Sequence, residues 1–375
     1  MNIGFDAKRI VQNNTGLGNY SRYIVEILSR LYPDNHYFLF APKNKKNERL
    51  NYLQAQANVS FVFPSGIHRI IPTIWRTFGI NKDLANSRST VFHGLSNELP
   101  VGVFHKKVKS VVSIHDLIFL RYPEFYNLID RWIYRWKFKR ACRVADKIIA
   151  VSECTKRDII SFFHIPEEKI TVVYQGCHQQ FRETVTNEKK QEIREKYRLP
   201  HSFLLYVGSI ESRKNLLLAV KALSRLPENI HLVAVGKATP YQTKVEAYAQ
   251  QSGLESRFHI RNNFSFSDLP AVYQSATAFI YPSFFEGFGI PVIEALSCGV
   301  PVIAATGSCL EEAGGTGSFY VNPEDDKELA NRILEIVNDE SLANRMKEAG
   351  KLYVKRFDDE QIASEIVHIY QSLSI

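Results

Sequence analysis

Two carboxylates stand eight positions apart, Glu286 and Glu294, on either side of the turn Gly287-Phe288-Gly289-Ile290-Pro291. The apolar run Ala278–Tyr281 leads into that turn as a buried strand. Pro291 suits a helix's first turn, where a missing N–H costs nothing. Gly299 suits the helix's C-terminal stop, ahead of a further strand at Val302–Ala304. The spacing therefore puts Glu286 in a loop and Glu294 one turn into a helix. The backbone N–H groups of Phe288, Gly289 and Ile290 lie between them. A helix N-terminus attracts anions, and carboxylates accept bonds from hydroxyls. That pairing fits a ligand that is both a phosphate ester and a sugar.

Three other segments carry polar groups at the ends of apolar strands. Tyr206-Val-Gly208-Ser-Ile-Glu-Ser-Arg213-Lys214-Asn215 precedes the amphipathic pattern Leu216, Val220, Leu223. A glycine followed by two cations at a helix start is a phosphate-recognition layout, because cations there oppose the helix dipole and need an anion. Lys214 is the stronger candidate and Arg213 the second. Arg9–Tyr20 holds Gly16 and Gly18 at another strand-to-helix passage, where backbone can approach a ligand closely. It lacks the third glycine of a dinucleotide fingerprint. Ser113-Ile-His115-Asp116 closes a third strand with a histidine and an acid.

The Glu286-x7-Glu294 stretch resembles the signature of retaining glycosyltransferases of the GT-B fold, specifically glycosyltransferase family 4. The resemblance covers essentially the whole chain, and the segments come in the family's order. It implies that Glu294 accepts bonds from the donor's ribose hydroxyls and that Glu286 binds a donor-sugar hydroxyl. It further implies that Phe288, Gly289 and Ile290 meet sugar and phosphate through their backbone, and that His115 contacts the sugar in the transition state. Lys214 and Arg213 would meet the charge that grows on the leaving diphosphate, near Gly208. Gly16 and Gly18 would line the acceptor and diphosphate side. Ser209 departs from the arginine many relatives carry there, which leaves the number of cationic contacts open. No Asp-x-Asp pair lies near these loops, so no metal and no other cofactor are expected beyond the nucleotide sugar itself.

These residues need elements to position them. Short apolar runs alternate with helical patterns, the mark of a doubly wound α/β architecture. Strands are expected at 37–41, 59–63, 90–93, 110–114, 147–151 and 172–174, then at 203–207, 231–235, 257–260, 278–281, 302–304 and 318–321. The polar segment 181–190 reads as the linker. Residues 1–180 and 181–357 are then two Rossmann-like domains facing across a cleft, the first binding acceptor and the second the nucleotide sugar. In the family the last helix crosses back to the first domain, here residues 358–375. Strand C-termini should point the loaded loops at the ligand.

At 375 residues, 45% hydrophobic and 23% charged, the chain is globular and long enough for two domains. The five cysteines form no C-x-x-C pair, which suits free thiols in a reducing cytoplasm. No run reaches the ~20 apolar residues of a membrane span. Charge is uneven: residues 1–180 hold 26 Lys and Arg against 14 Asp and Glu, whereas residues 181–375 hold 21 against 25. Arg131–Arg140 interleaves five basic residues with four aromatics. That segment, continued to Lys147, reads either as a peripheral element on the inner face of the cytoplasmic membrane or, through Trp132, Ile133 and Trp136, as core. No nucleic-acid module is present, so nucleic acid is not expected as a partner.

The resulting expectation is a cytoplasmic retaining hexosyltransferase of polysaccharide or O-antigen synthesis. The chain's opening residues and Ser209–Asn215 are similar to bacterial mannosyltransferases, which makes GDP-mannose the first donor and a UDP-hexose the next. The acceptor would be a saccharide, free or linked to polyprenyl diphosphate. A nucleotide-sugar 2-epimerase and a non-catalytic nucleotide-sugar-binding subunit are the rival readings.

Overall fold

The computed structural model describes residues 1–45, 47–101 and 108–373. Two compact units divide the chain, one formed by Met1–Gln175 with Asp358–Ile375, the other by Gly176–Phe357. The first is built on seven strands: β1 (Asn2–Asp6), β2 (His36–Phe40), β3 (Val59–Val62), β4 (Val91–Gly94), β5 (Lys109–Ile114), β6 (Lys147–Ala150) and β7 (Ile170–Val172). All pair in parallel, in the order β3-β2-β1-β4-β5-β6-β7. The second holds β8 (Phe203–Val207), β9 (His231–Val235), β10 (Phe258–Arg261), β11 (Ala278–Tyr281), β12 (Val302–Ala305) and β13 (Phe319–Val321). These too are all parallel, in the order β10-β9-β8-β11-β12-β13.

Parallel strands covered on both faces read as near-continuous apolar runs, and the central ones are largely apolar, with His93 of β4 and Ser113 of β5 as buried polar exceptions. Ile3, Phe5, Val111, Leu205, Phe279 and Ile303 are all fully buried. Each sheet reverses its strand order once, between β1 and β4 and between β8 and β11. Ligands of such sheets bind beyond the strand C-termini at that reversal.

Helix α1 (Gly16–Leu31) and helix α2 (Leu128–Val144) flank the first sheet. Gly18 sits where a Cβ would lie 1.9 Å from the Asn13 carbonyl oxygen, so this glycine is demanded by packing. Gly16 has open space where its Cβ would be. The C-terminal helix Asp359–Ser372 belongs to the first unit. Ile362, Ile366 and Tyr370 enter its core, Tyr23 donates to Asp359 at 2.9 Å, and Arg30 pairs with Asp359. The last two residues of the expected 358–375 segment lie outside the described ones.

One expectation changes, and one reading left open is decided. The division between units falls after Gln175, not in 181–190. Phe181 is fully buried against Phe266 and Tyr273. Asn187–Tyr197 is a helix capped by Thr186, and it buries only Ile193, so it carried no apolar period to read. The two tryptophans of α2 are not core: Trp132 is 72% exposed and Trp136 51%, while Phe138, Ala141 and Cys142 face inward. Among the described residues no helix is long and apolar enough to cross a membrane, and all five cysteines are free thiols.

Candidate functional site

In the second unit, β8 and β11 end side by side at the order reversal, and the residues after each strand supply the site. After β8 the chain passes through Gly208 to a 3-10 turn, Ser212–Lys214, and enters helix α3 (Leu216–Leu223). Asn215, in the left-handed region at φ 56°, joins the two and donates to the carbonyls of Pro282 and Pro323. That conformation turns the Arg213-Lys214 pair toward the loop after β11. A Cβ on Gly208 would stand 3.3 Å from the Lys214 stem, so glycine leaves room for this side chain.

The loop after β11 ends at helix α4 (Ile290–Ser297), whose N-cap is Gly289 at φ 116°. Few side chains tolerate that φ, and a Cβ there would also meet Leu310 at 2.8 Å. No side chain caps this helix; Pro291 brings no N–H to its first turn, and the Val292 N–H bonds the Gly289 carbonyl at 2.9 Å. Cys309 donates its thiol to the carbonyls of Glu286 and Phe288, at 3.0 Å each, and so fixes the loop's path.

Glu286 is the hub. Its Oε1 lies 3.1 Å from Lys214 Nζ and 3.1 Å from the Arg213 guanidinium, and accepts from Ser283 at 2.9 Å and from Tyr281 at 3.1 Å. Lys214 also donates to the Tyr281 hydroxyl at 2.7 Å, and Arg213 bonds the Phe285 carbonyl and Glu211. Among the described residues, no such bond engages Glu286 Oε2. Burial alone would raise this carboxyl, but the charges of Arg213 and Lys214 and the Ser283 bond outweigh it and bring it down to about 2. The result is an ionised carboxylate with one oxygen saturated and one available, beside two cations.

Glu294 behaves oppositely. It lies one turn into α4, buried, with only the Tyr273 hydroxyl donating to Oε2 at 2.9 Å. Burial pushes its carboxyl up to about 8, and the Tyr273 bond offsets little of that. Two carboxylates eight residues apart are thus held in different protonation states at neutral pH by their surroundings.

In the first unit His115 follows β5 and is buried. Its Nε2 donates to the Leu95 carbonyl at 2.9 Å, which leaves Nδ1 to accept from Gln175 at 3.2 Å. Asn97 accepts from the His115 N–H, and Tyr20 packs edge-on against the ring. Burial lowers the imidazole to about 4, so it is neutral. A buried relay lies beside it, in which His93 bridges Tyr370 at 2.6 Å and Ser113 at 2.9 Å, and Ser113 meets Tyr20.

Gly208, Arg213, Lys214, Glu286, Phe288, Gly289, Ile290 and Glu294 therefore gather at one sheet reversal, whereas Gly16, Gly18 and His115 belong to the other unit. Sequence reasoning missed Tyr281, Ser283, Tyr273 and Cys309. Ser283 is three residues before Glu286 and could have been suspected; Tyr273 and Cys309 are brought in from other elements and gave no local signal. Among the described residues, no group of three or more His, Cys, Asp or Glu is placed to hold a metal ion.

Residues 15–180 match the family Glycosyltransferase Family 4, and residues 189–353 match Glycosyl transferases group 1. The chain is 27% identical over 296 residues to the O-antigen chain mannosyltransferase B of Escherichia coli, covering 77% of this chain and 76% of that one. It is 27% identical over 247 residues to the O-antigen chain mannosyltransferase RfbU of Salmonella typhimurium, covering 66% of this chain and 65% of the other. Among solved structures, Anabaena HepE in complex with UDP-glucose superposes with a TM-score of 0.77 at 17% identity, covering 99% of this chain and all of that one.

Proposed function

We propose, from the premise that the chain belongs to the group 1 and family 4 glycosyltransferases, that it moves a mannosyl unit from GDP-mannose to a saccharide acceptor with retention of configuration. The observation that carries this reading is the cluster of Lys214, Arg213 and Glu286 at the β8–β11 reversal, next to the uncapped start of α4. Both curated relatives described above bear the name of mannosyltransferases of O-antigen chains. That favours mannose, and an acceptor that is part of a growing polysaccharide, free or lipid-linked; a lipid-linked acceptor would bring the enzyme to a membrane face. The UDP-glucose held by HepE keeps a UDP-hexose as the second donor.

In this reading the donor diphosphate meets Lys214, Arg213 and the α4 N-terminus. In the ground state these cations are shared with Glu286; as the sugar–phosphate bond lengthens, the diphosphate oxygens gain charge and draw them more strongly. Stabilisation therefore grows toward the transition state, with no divalent ion assigned to it. Glu286 Oε2 accepts from a sugar hydroxyl, and Phe288–Ile290 meet sugar and phosphate through backbone N–H groups. Glu294 accepts from the ribose. His115 reaches the sugar once Gln175 releases its Nδ1. Gly16 lies open for the acceptor side.

A thermal-shift titration with GDP, UDP, ADP and dTDP, each with and without Mg²⁺, tests the donor. A ligand at 100 times its Kd raises stability by about 2.7 kcal/mol. A selective shift with GDP that Mg²⁺ does not alter is expected. A shift with UDP alone moves the donor to a UDP-hexose, and no shift with any nucleotide refutes the site.

The ribose role of Glu294 makes a separate prediction. Hydroxyls donating to Glu294 favour its ionised form, whereas the free enzyme holds it protonated up to about pH 8. Binding should therefore strengthen as pH rises, by about tenfold between pH 7 and pH 9. Glu294→Gln should flatten that slope and weaken binding. Calorimetric titration with GDP across this range reads both, and a wild-type Kd independent of pH would rule the role out.

A further inference from the structure

The two exposed tryptophans of α2 have no place in the chemistry above. They belong to a row on successive turns, Leu128, Trp132 and Trp136, with Leu128 76% exposed and Ile129 alongside it. A second row, Arg135, Lys139 and Arg143, runs beside it at the same spacing. Among the described residues no acid pairs with these three side chains. The helix has a single acid, Asp130, which sits in the first turn and bonds the N-cap Asn127.

A neighbouring element repeats the pattern. The helical stretch 72–86 and the residues before it expose Ile70 (79%), Ile71, Ile74 and Phe78 (58%), while Trp75 is buried and donates to Asp83. Both elements are tied to the segment 98–101. Arg76 and Lys137 pair with the same Glu98, Thr77 accepts from the Val101 N–H, and Arg140 donates to the Leu99 and Pro100 carbonyls. Trp75, Ile80, Phe138 and Ala141 also share one core cluster, so both elements cover the same face of the first sheet. Two apolar exposed segments thus adjoin on the strongly basic half of the chain.

We propose that this face docks on an anionic lipid surface, with Trp132, Trp136 and the 70–78 segment entering the headgroup boundary and Arg135, Lys139 and Arg143 meeting lipid phosphates. Indole rings prefer that boundary, and a helix with an apolar row beside a basic one lies in its plane. Charge decides the occupant. A second copy joined by a two-fold axis would set the basic row near its own like, whereas an anionic surface complements it. The proposal extends the lipid-linked acceptor reading above, and it is tested without donor or acceptor, so its failure leaves that reading standing.

Flotation of the full chain with phosphatidylcholine vesicles, with and without phosphatidylglycerol, provides the test. Binding is expected only with the anionic lipid and should weaken steeply with salt. Each basic side chain at such a surface strengthens binding about fivefold, so R135A/K139A/R143A should lose about 10²-fold. W132A/W136A should lose about tenfold or more with an unchanged melting temperature. Tryptophan emission should shift to the blue on vesicle addition, because Trp75 is already buried and only Trp132 and Trp136 can change. Absence of binding at low salt, equal binding to neutral vesicles, or binding without an emission shift would overturn the proposal. So would a dimer in solution that W132A/W136A dissociates, or a preference for nucleic acid over vesicles.

Discussion

Lys214→Ala is expected to lower turnover of the nucleotide-sugar donor by roughly 10²–10³, the usual cost of removing one preorganised electrostatic contact. Its melting temperature should move by about 2 °C or less. The two effects separate because of how the charge is shared. Lys214 contributes one of four contacts to Glu286 Oε1, and Arg213, Ser283 and Tyr281 remain when it is gone. The carboxylate stays compensated, so folding loses little. The leaving diphosphate has no such reserve, since Arg213 is also committed to Glu211 and the Phe285 carbonyl. Steady-state kinetics and a melting curve on the same preparation decide it. A loss of stability in proportion to the loss of turnover would make Lys214 an architectural residue.

The strand-to-helix alternation was legible because buried parallel strands read as near-continuous apolar runs. Phe203–Val207, His231–Val235 and Ala278–Tyr281 are read from sequence at the residues where they occur. The two ends of α4 were equally legible, since Pro291 near its start and Gly299 past its end each encode a backbone constraint. The polar helix Asn187–Tyr197 was not, because one buried residue leaves no periodicity. The opposite charge states of Glu286 and Glu294 were also hidden. They depend on Arg213 and Lys214 from one strand end, on Tyr273 from another helix, and on burial, and spacing along the chain reports none of these. In the same way the spacing of the α2 tryptophans left open whether they face outward or into the core. Only the packing of Phe138, Ala141 and Cys142 reveals which side of the helix faces inward.

Glu286→Gln is expected to separate product binding from catalysis. Turnover should fall by at least 10², because the oxygen that holds the sugar hydroxyl loses its charge. The affinity for GDP should hold or tighten, because Arg213 and Lys214 lose the carboxylate that competes with the diphosphate for them. The free protein should meanwhile become less stable, since two cations only partly exposed are left facing each other. Removing one partner of a fully buried pair costs about 3–5 kcal/mol. Partial exposure and the hydrogen bonds a glutamine retains reduce that to about 2 kcal/mol, or roughly 4–8 °C in Tm. Saturating GDP supplies the missing negative charge and should restore most of the loss, so the ligand-induced rise in Tm becomes larger in the variant than in the wild type. No architectural role for Glu286 predicts that reversal. If GDP binding weakens along with turnover, the carboxylate does not compete with the diphosphate, and the two cations serve to hold the loop after β11.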